Sequence, residues 1–204
     1  MSNSEKRFKE ALKKHLPEAA LDYCHTLWHE NNFSLKIKKK RASKLGDYRY
    51  DPSTKKHTIS VNNNLNPYSF LITYVHEVAH LLTFTEHKRS VKPHGAEWKR
   101  AFRNLMTPVL NTTVFPNEVL LPLKKYLQNP KASSCNDHRL MTALRPFDSG
   151  KSTLQLSDIP TGELFKLNNR VFRKESLRRT RYVCSEVSSK KKYLISKITE
   201  VEAV

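Results

Sequence analysis

Five consecutive residues, His76-Glu77-Val78-Ala79-His80, carry the densest chemistry in the chain. Residues four apart on an α-helix differ by about 40° in azimuth and about 6 Å in height, so both imidazoles leave one face and can grip one ion. Glu77 sits about 100° round from His76, beside such an ion rather than on it. A carboxylate there can take a proton from zinc-bound water, whose pKa the ion lowers to about 7. The flanking residues are Tyr74, Val75, Leu81 and Leu82. Two histidines and a carboxylate buried among such neighbours are costly without a partner. A solvated helix face would carry lysine and glutamate at those positions instead.

A catalytic zinc needs a third protein ligand and one open position. A metzincin-like chain would offer histidine six residues after His80 and glycine three after; Glu86 and Thr83 stand there. His87 lies in a charged stretch and reads as solvated. Glu97 is spaced as a gluzincin-style ligand but lacks the supporting carboxylate four residues on, where Ala101 stands. His94, in Pro93-His94-Gly95-Ala96-Glu97-Trp98, heads a helix able to fold back over the first. It is the preferred third ligand.

With these residues in place, the chain resembles the SprT-like metalloprotease family, the relatives of Spartan. The resemblance rests on His76-Glu77-x-x-His80-Leu81-Leu82 followed by Pro93-His94-Gly95-x-Glu97-Trp98. Leu45-Gly46 and His57-Thr58-Ile59-Ser60-Val61 upstream also fit, so the match covers about residues 18–106. It implies a zincin-like fold, one Zn2+ held by His76, His80 and His94, and Glu77 as the catalytic glutamate. In the best-known relatives the activity is proteolysis of proteins on or crosslinked to DNA, stimulated by DNA. One departure is plain: relatives often end in a zinc ribbon with paired C-x-x-C ligands, and this chain has none. Cys135-x-x-His138 and Cys184 are what remains, so no ribbon zinc is expected, and Cys135 and Cys184 are expected to pack as small apolar residues.

The elements that must hold this motif follow from periodicity. Phe8, Ala11, Leu12 and Leu16 have helical spacing over residues 4–16, and Pro17 suits the first turn of a second helix that points Leu21, Cys24, Leu27 and Trp28 inward. From Phe33 the period shortens to two: Leu35 and Ile37 alternate with lysines, then Leu45–Tyr50 and His57–Val61 read as strands. A buried helix is expected over Pro67–Phe84, with Leu71, Val75, Val78 and Leu82 as its core stripe. A charged loop, Glu86–Pro93, leads to a helix with Trp98, Phe102 and Leu105 on one face. Helices near Pro116–Leu127 and Asn136–Leu144 follow. Asp148-Ser149-Gly150-Lys151-Ser152 reads as a joint. Beyond it Thr153–Ile159, Glu163–Leu167, Val171–Arg173, Arg181–Glu186 and Lys192–Ile198 read as strands. The fold class expected is α+β: a zincin-like metallopeptidase domain over 1–150, with a small antiparallel sheet and the H-E-x-x-H helix, then a small basic β-rich unit over 151–204.

Composition bounds the partners. The 204 residues include 37 Lys plus Arg against 19 Asp plus Glu, a formal charge of +18. Such an excess opposes self-association, favours a monomer, and attracts polyanions. Only 4 glycines and 10 prolines exclude collagen or low-complexity readings of the whole chain. No apolar run is long enough to span a membrane, no signal-peptide core opens the chain, and three distant cysteines suit a reducing cytoplasm, with nucleoid or nuclear association open. Lys36, Lys38, Lys39, Lys40 and Arg41 crowd one early strand and its turn, while Arg173, Lys174, Arg178, Arg179 and Arg181 crowd the tail. These are the candidate contacts to nucleic acid, DNA without sequence choice. The expected function is a zinc endopeptidase acting on DNA-bound or DNA-crosslinked proteins, its substrate pairing with the strand near His57–Val61. The alternatives are a metallopeptidase with one dedicated protein substrate and no DNA role, or a nucleic-acid-binding module with a structural zinc.

Overall fold

A computed structural model describes residues 3–41, 43–132, 137–148 and 154–204. Cys135, Asn136 at the start of an expected helix, and residues 149–153, which hold most of the expected joint and the start of an expected strand, lie outside the described residues. The chain is mixed α and β, with six α-helices and two sheets among the described residues, and divides into two units, Met1–Ser149 and Gly150–Val204. No described helix is long and apolar enough to cross a membrane.

In the first unit, α1 (Asn3–Lys13) and α2 (Leu21–Asn31) flank a short 3-10 turn, Glu18–Ala20, opened by Pro17. Leu12, Cys24 and Leu27 are buried on their inner faces. Asn32 adopts a left-handed φ of 44° and donates its backbone N–H to Trp28 O, which stops α2 and turns the chain into β1 (Phe33–Lys38). β2 (Gly46–Asp51) and β3 (Lys56–Asn62) form a hairpin whose bend is set by Asp51, which accepts from Ser53 and Thr54.

The sheet order is β1-β3-β2, with β2 antiparallel to β3 and β1 parallel to it. The sheet is therefore mixed rather than antiparallel as expected. The excursion through β2 supplies the crossover connection that parallel pairing requires. The same order corrects the expected substrate strand: β3 is bonded on both sides, so it offers no edge to a ligand, and the edges belong to β1 and β2. Ile59 and Val61 of β3 are fully buried, as a central strand's inward residues must be.

Helix α3 (Pro67–His87) packs on β2, β3 and α4 (Ala96–Met106). Its start is fixed by Asn66, whose Oδ1 accepts from Ser69 N–H, with Pro67 at the first helical position. Leu71, Val75 and Val78 are fully buried, but Leu82 is only half-buried. The helix also continues to His87, into the stretch expected to be loop. Helices α5 (Asn117–Gln128) and α6 (His138–Leu144) close the core, where Leu123 and Leu140 are buried beside Phe115.

The second unit is an antiparallel five-stranded sheet in the order β7-β6-β5-β4-β8, from β4 (Leu164–Leu167), β5 (Arg170–Arg178), β6 (Arg181–Glu186), β7 (Lys192–Ser196) and β8 (Glu202–Ala203). Phe165, Phe172, Cys184, Leu156 and Val201 form its core. The expected strand over Thr153–Ile159 is instead a 3-10 turn, Leu156–Asp158, with Gln155 in an isolated bridge to Glu200. Gln155 and Asp158 exchange side chain-to-backbone bonds, and this reciprocal cap bends the segment into a turn.

Candidate metal centre

His76 and His80 leave the same face of α3, one turn apart. His94 reaches them from the loop before α4, where its φ of 57° puts the backbone in the left-handed region. That conformation is uncommon for a residue other than glycine and is kept only where surrounding structure fixes it. Here Gly95 N–H bonds back to Lys92 O, and Trp98, one turn into α4, anchors the loop from below.

The three Nε2 atoms converge. His80 lies 2.9 Å from His94 and 3.2 Å from His76, and His94 lies 3.3 Å from His76. Nitrogens each about 2.0–2.1 Å from one tetrahedral ion are about 3.3 Å apart, so these separations fit a shared ion within a few tenths of an ångström. Burial, followed by the neighbouring imidazoles, pushes the His76 pKa down to about 2; burial and His94 push that of His80 to about 3, and burial lowers His94. Neutral imidazoles are the form that binds a metal. The three histidines can thus hold one metal ion, and among the described residues they form the one cluster of potential ligands found. His87, half-buried and 3.4 Å from Glu86, and Glu97 are not in it.

Trp98 backs the cluster. Its fully buried indole lies 4.6 Å from the His76 ring, 5.3 Å from His80 and 4.7 Å from His94, and it stacks on Phe102 at 5.1 Å. This wall limits the rotamers open to the imidazoles and excludes water from their rear.

Glu77 is buried, and its pKa is raised to about 8. Burial is the main cause, with Asp47 adding to it; Arg41, the Tyr48 backbone N–H and Lys44 partly oppose the rise. The Tyr48 N–H thus donates to the Glu77 carboxylate from the edge strand. Gly46 completes the fit: a Cβ on it would stand 2.6 Å from Glu77 Oε1 and 2.7 Å from Thr73 Cγ2. Only a hydrogen at that position lets β2 approach the helix so closely. Leu45-Gly46 enters the sequence reading only as part of the family resemblance, and neither Asp47 nor the Tyr48 amide is tied to Glu77 there. Tyr74, the nearest tyrosine to the motif, is fully buried and donates its hydroxyl to Cys24 O, on the core side of α3.

The candidate nucleic-acid residues divide. Lys36 and Lys38 are exposed on the face of the sheet away from α3, in register with Ser60 and Asn62, and Arg49 joins them from β2. Lys39 and Lys40 are exposed just beyond β1. Arg41 is used internally: it donates to Asn62 Oδ1 at 2.7 Å and Ser60 Oγ at 3.0 Å, fastening the end of the 39–41 stretch to β3. In the tail, Arg178, Arg179 and Arg181 are exposed at the β5–β6 hairpin tip, and Arg173 is exposed while bonding Gly162 O. Lys174 corrects the expectation. It is 2% exposed, bonds Ile159 O and Ser157 O, and places its ammonium 3.8 Å from the Tyr182 ring centroid. A polyanion cannot reach it; its charge instead satisfies carbonyls that the 3-10 turn leaves unpaired.

A family model described as SprT-like matches residues 7–119, more than half of the chain, and the matched span holds all three histidines and Glu77. No curated protein and no solved structure matches the chain.

Proposed function

The chain belongs to the SprT-like family, and from that premise we propose that it is a zinc-dependent endopeptidase with a zincin-like first unit, cutting proteins bound or crosslinked to DNA. The observation that carries this reading is the convergence of three neutral imidazoles beside a buried carboxyl whose pKa is near 8. Zinc held by His76, His80 and His94 would supply Lewis acidity, lowering the pKa of water and polarising a carbonyl. Glu77 is the proton carrier. A carboxylate placed beside the ion can take a proton from water and release it to the departing amine. The Tyr48 N–H and the clearance at Gly46 fix where its carboxylate stands. Trp98 excludes water behind the histidines. Among the described residues no other strand pairs with the outer side of β2, whose remaining backbone groups give an extended substrate a place to pair alongside Glu77.

The DNA element of the reading draws on the +18 charge and on two exposed basic groups, Lys36 to Lys40 on the first unit and Arg178, Arg179 and Arg181 on the second. Phosphate contacts by such groups give affinity without sequence choice and hold the enzyme near DNA-borne proteins. A second reading, a metallopeptidase with a dedicated protein substrate and no DNA role, is favoured by one observation: Arg41 and Lys174 are committed to internal bonds.

The experiment that tests the proposal incubates the zinc-loaded protein with a basic DNA-binding protein, with and without single-stranded DNA, beside Glu77→Gln. Cleavage that needs DNA and vanishes in the variant is expected. Cleavage indifferent to DNA selects the second reading. Zinc bound with nothing cut, self-cleavage included, overturns the peptidase.

A further inference from the structure

We infer that the groove on the His80 and His94 side of the centre selects the substrate: it takes a large apolar or aromatic side chain next to the cut bond, with an acidic residue close by in the substrate sequence. The inference rests on the peptidase reading and adds a substrate class to it.

The groove has a volume of about 360 Å³, within the size range of small-ligand pockets. Tyr48, Phe84, Val91 and Pro93 form its walls, and His80 and His94 close its inner end. A side chain entering it therefore belongs to a residue beside the reacting carbonyl. The walls are held in place. Tyr48 bonds His57 Nδ1 through its hydroxyl at 2.8 Å, and the Tyr50 ring supports Phe84 at 4.7 Å between centroids. Lys88 and His94, with φ of 52° and 57°, pin the two ends of the loop that forms the outer wall. A preformed apolar slot of this kind rewards a large, rigid side chain, because little ordering entropy is lost on binding.

The rim is cationic. Lys88, Arg89 and Lys92 line it, all three are exposed, and no carboxylate is among the lining residues. Lys88 Nζ stands 5.7 Å from the Phe84 ring centroid, at the mouth. Close like charges disfavour a substrate residue carrying Lys or Arg here, whereas Asp or Glu gains. The pocket on the other side, at Glu77, has a volume of about 140 Å³ and is lined by Ser43, Leu45, Gly46, Ile72 and Thr73 among others. Lys44 lines it as well, and it offers less room than the groove. The cleft is thus asymmetric about the centre, with the larger space and three of the basic residues on the His80 and His94 side. Selection of this kind is compatible with DNA-borne substrates, whose basic surfaces face the DNA and whose neutral and acidic segments face away.

The test digests a mixture of unfolded proteins with the zinc-loaded full chain and maps the cut sites by mass spectrometry. Phe, Tyr, Trp, Leu or Met on one side of the cut, with Asp or Glu within two positions, should be enriched at least about fivefold over background. The charge-reversed variant Lys88→Glu/Arg89→Glu/Lys92→Glu, checked for unchanged zinc content and melting temperature, should lose the acidic preference and keep the apolar one. Val91→Trp, which narrows the slot, should shift the apolar preference towards smaller side chains. Cut sites without enrichment, or enriched in Lys and Arg in the parent protein, overturn this inference and leave the peptidase standing. No cut in any protein while zinc is bound overturns both.

Discussion

Glu77 and Gly46 are a pair, and their fit is the most demanding contact at the residue scale. A methyl group on Gly46 would fall 2.6 Å from Glu77 Oε1, far inside van der Waals contact. The carboxylate, β2 or both must then shift. A misplacement of about 1 Å costs on the order of 100-fold in rate. Gly46→Ala is therefore expected to lower kcat by roughly that factor while KM changes little and zinc stoichiometry stays at the parent value. Metal analysis beside steady-state kinetics checks it; lost zinc would mean that the glycine serves the fold, not the proton carrier. Glu77→Gln should likewise keep zinc, since it is not among the converging nitrogens, and lose about 100- to 10,000-fold in activity as a general base is removed. Equal activity in that variant would remove Glu77 from the chemistry.

At the scale of elements, α3 depends on the side chain that starts it. Asn66 is 1% exposed, caps Ser69 N–H, and donates from Nδ2 to Leu144 O and Asp148 Oδ1. Asn66→Ala deletes the cap and removes a donor from the buried Leu144 carbonyl. The two losses are worth about 2 kcal/mol together, which denaturant melts of the first unit would read as a lower midpoint with the same slope. In the tail the corresponding fixture is Glu186, which accepts from Arg170 Nε at 2.6 Å and from Ser189, and ties β5 to β6 and the turn before β7. The Arg170 guanidinium and the Ser189 hydroxyl hold its pKa down at about 2. A carboxyl whose folded pKa lies below its unfolded value stabilises above the unfolded value, near 4.5, and loses that contribution as pH falls towards 2. Hydrogen exchange of β6 peptides should therefore show faster opening in Glu186→Gln than in the parent at pH 6, with the gap shrinking steadily as pH falls towards 2. A constant gap across that range would show that the pair contributes through packing alone.

For the whole molecule the deciding quantity is charge. A formal +18 on 204 residues creates a field that favours any polyanion. Binding to single-stranded DNA is expected to weaken linearly in log K against log salt, with a slope of about −0.7 per phosphate neutralised. Replacing Arg178, Arg179 and Arg181 by glutamine should flatten that slope if the hairpin tip meets phosphate, and fluorescence anisotropy across a salt series reads it directly. Lys174→Gln should leave the slope unchanged and unfold the tail more readily, because its ammonium is buried against Ile159 O and Ser157 O. Aromatic stacking adds nothing from four of the strand aromatics: Phe165 and Phe172 are core, and Tyr48 and Tyr50 pack around Phe84.

What the sequence determined by itself is local. Apolar spacing fixed where α2, α3 and α4 run, because a helix must bury one stripe whatever surrounds it. Period-two alternation located β1 and β3 for the corresponding reason. The spacing of His76 and His80 put two imidazoles on one face, since helix pitch is invariant. Tertiary structure alone decided what depends on contacts between distant segments. It set β1 parallel to β3 and so placed β3 at the centre and β1 and β2 at the edges, because strand order is chosen by how the strands pair and pack on the helices rather than by any one strand's pattern. It brought Gly46 against Glu77 across an interval that no periodicity spans. It turned the Gln155–Asp158 segment into a capped 3-10 turn. It also took Lys174 and Arg41 out of the basic surface, since a side chain's charge is legible in sequence but its partners are not.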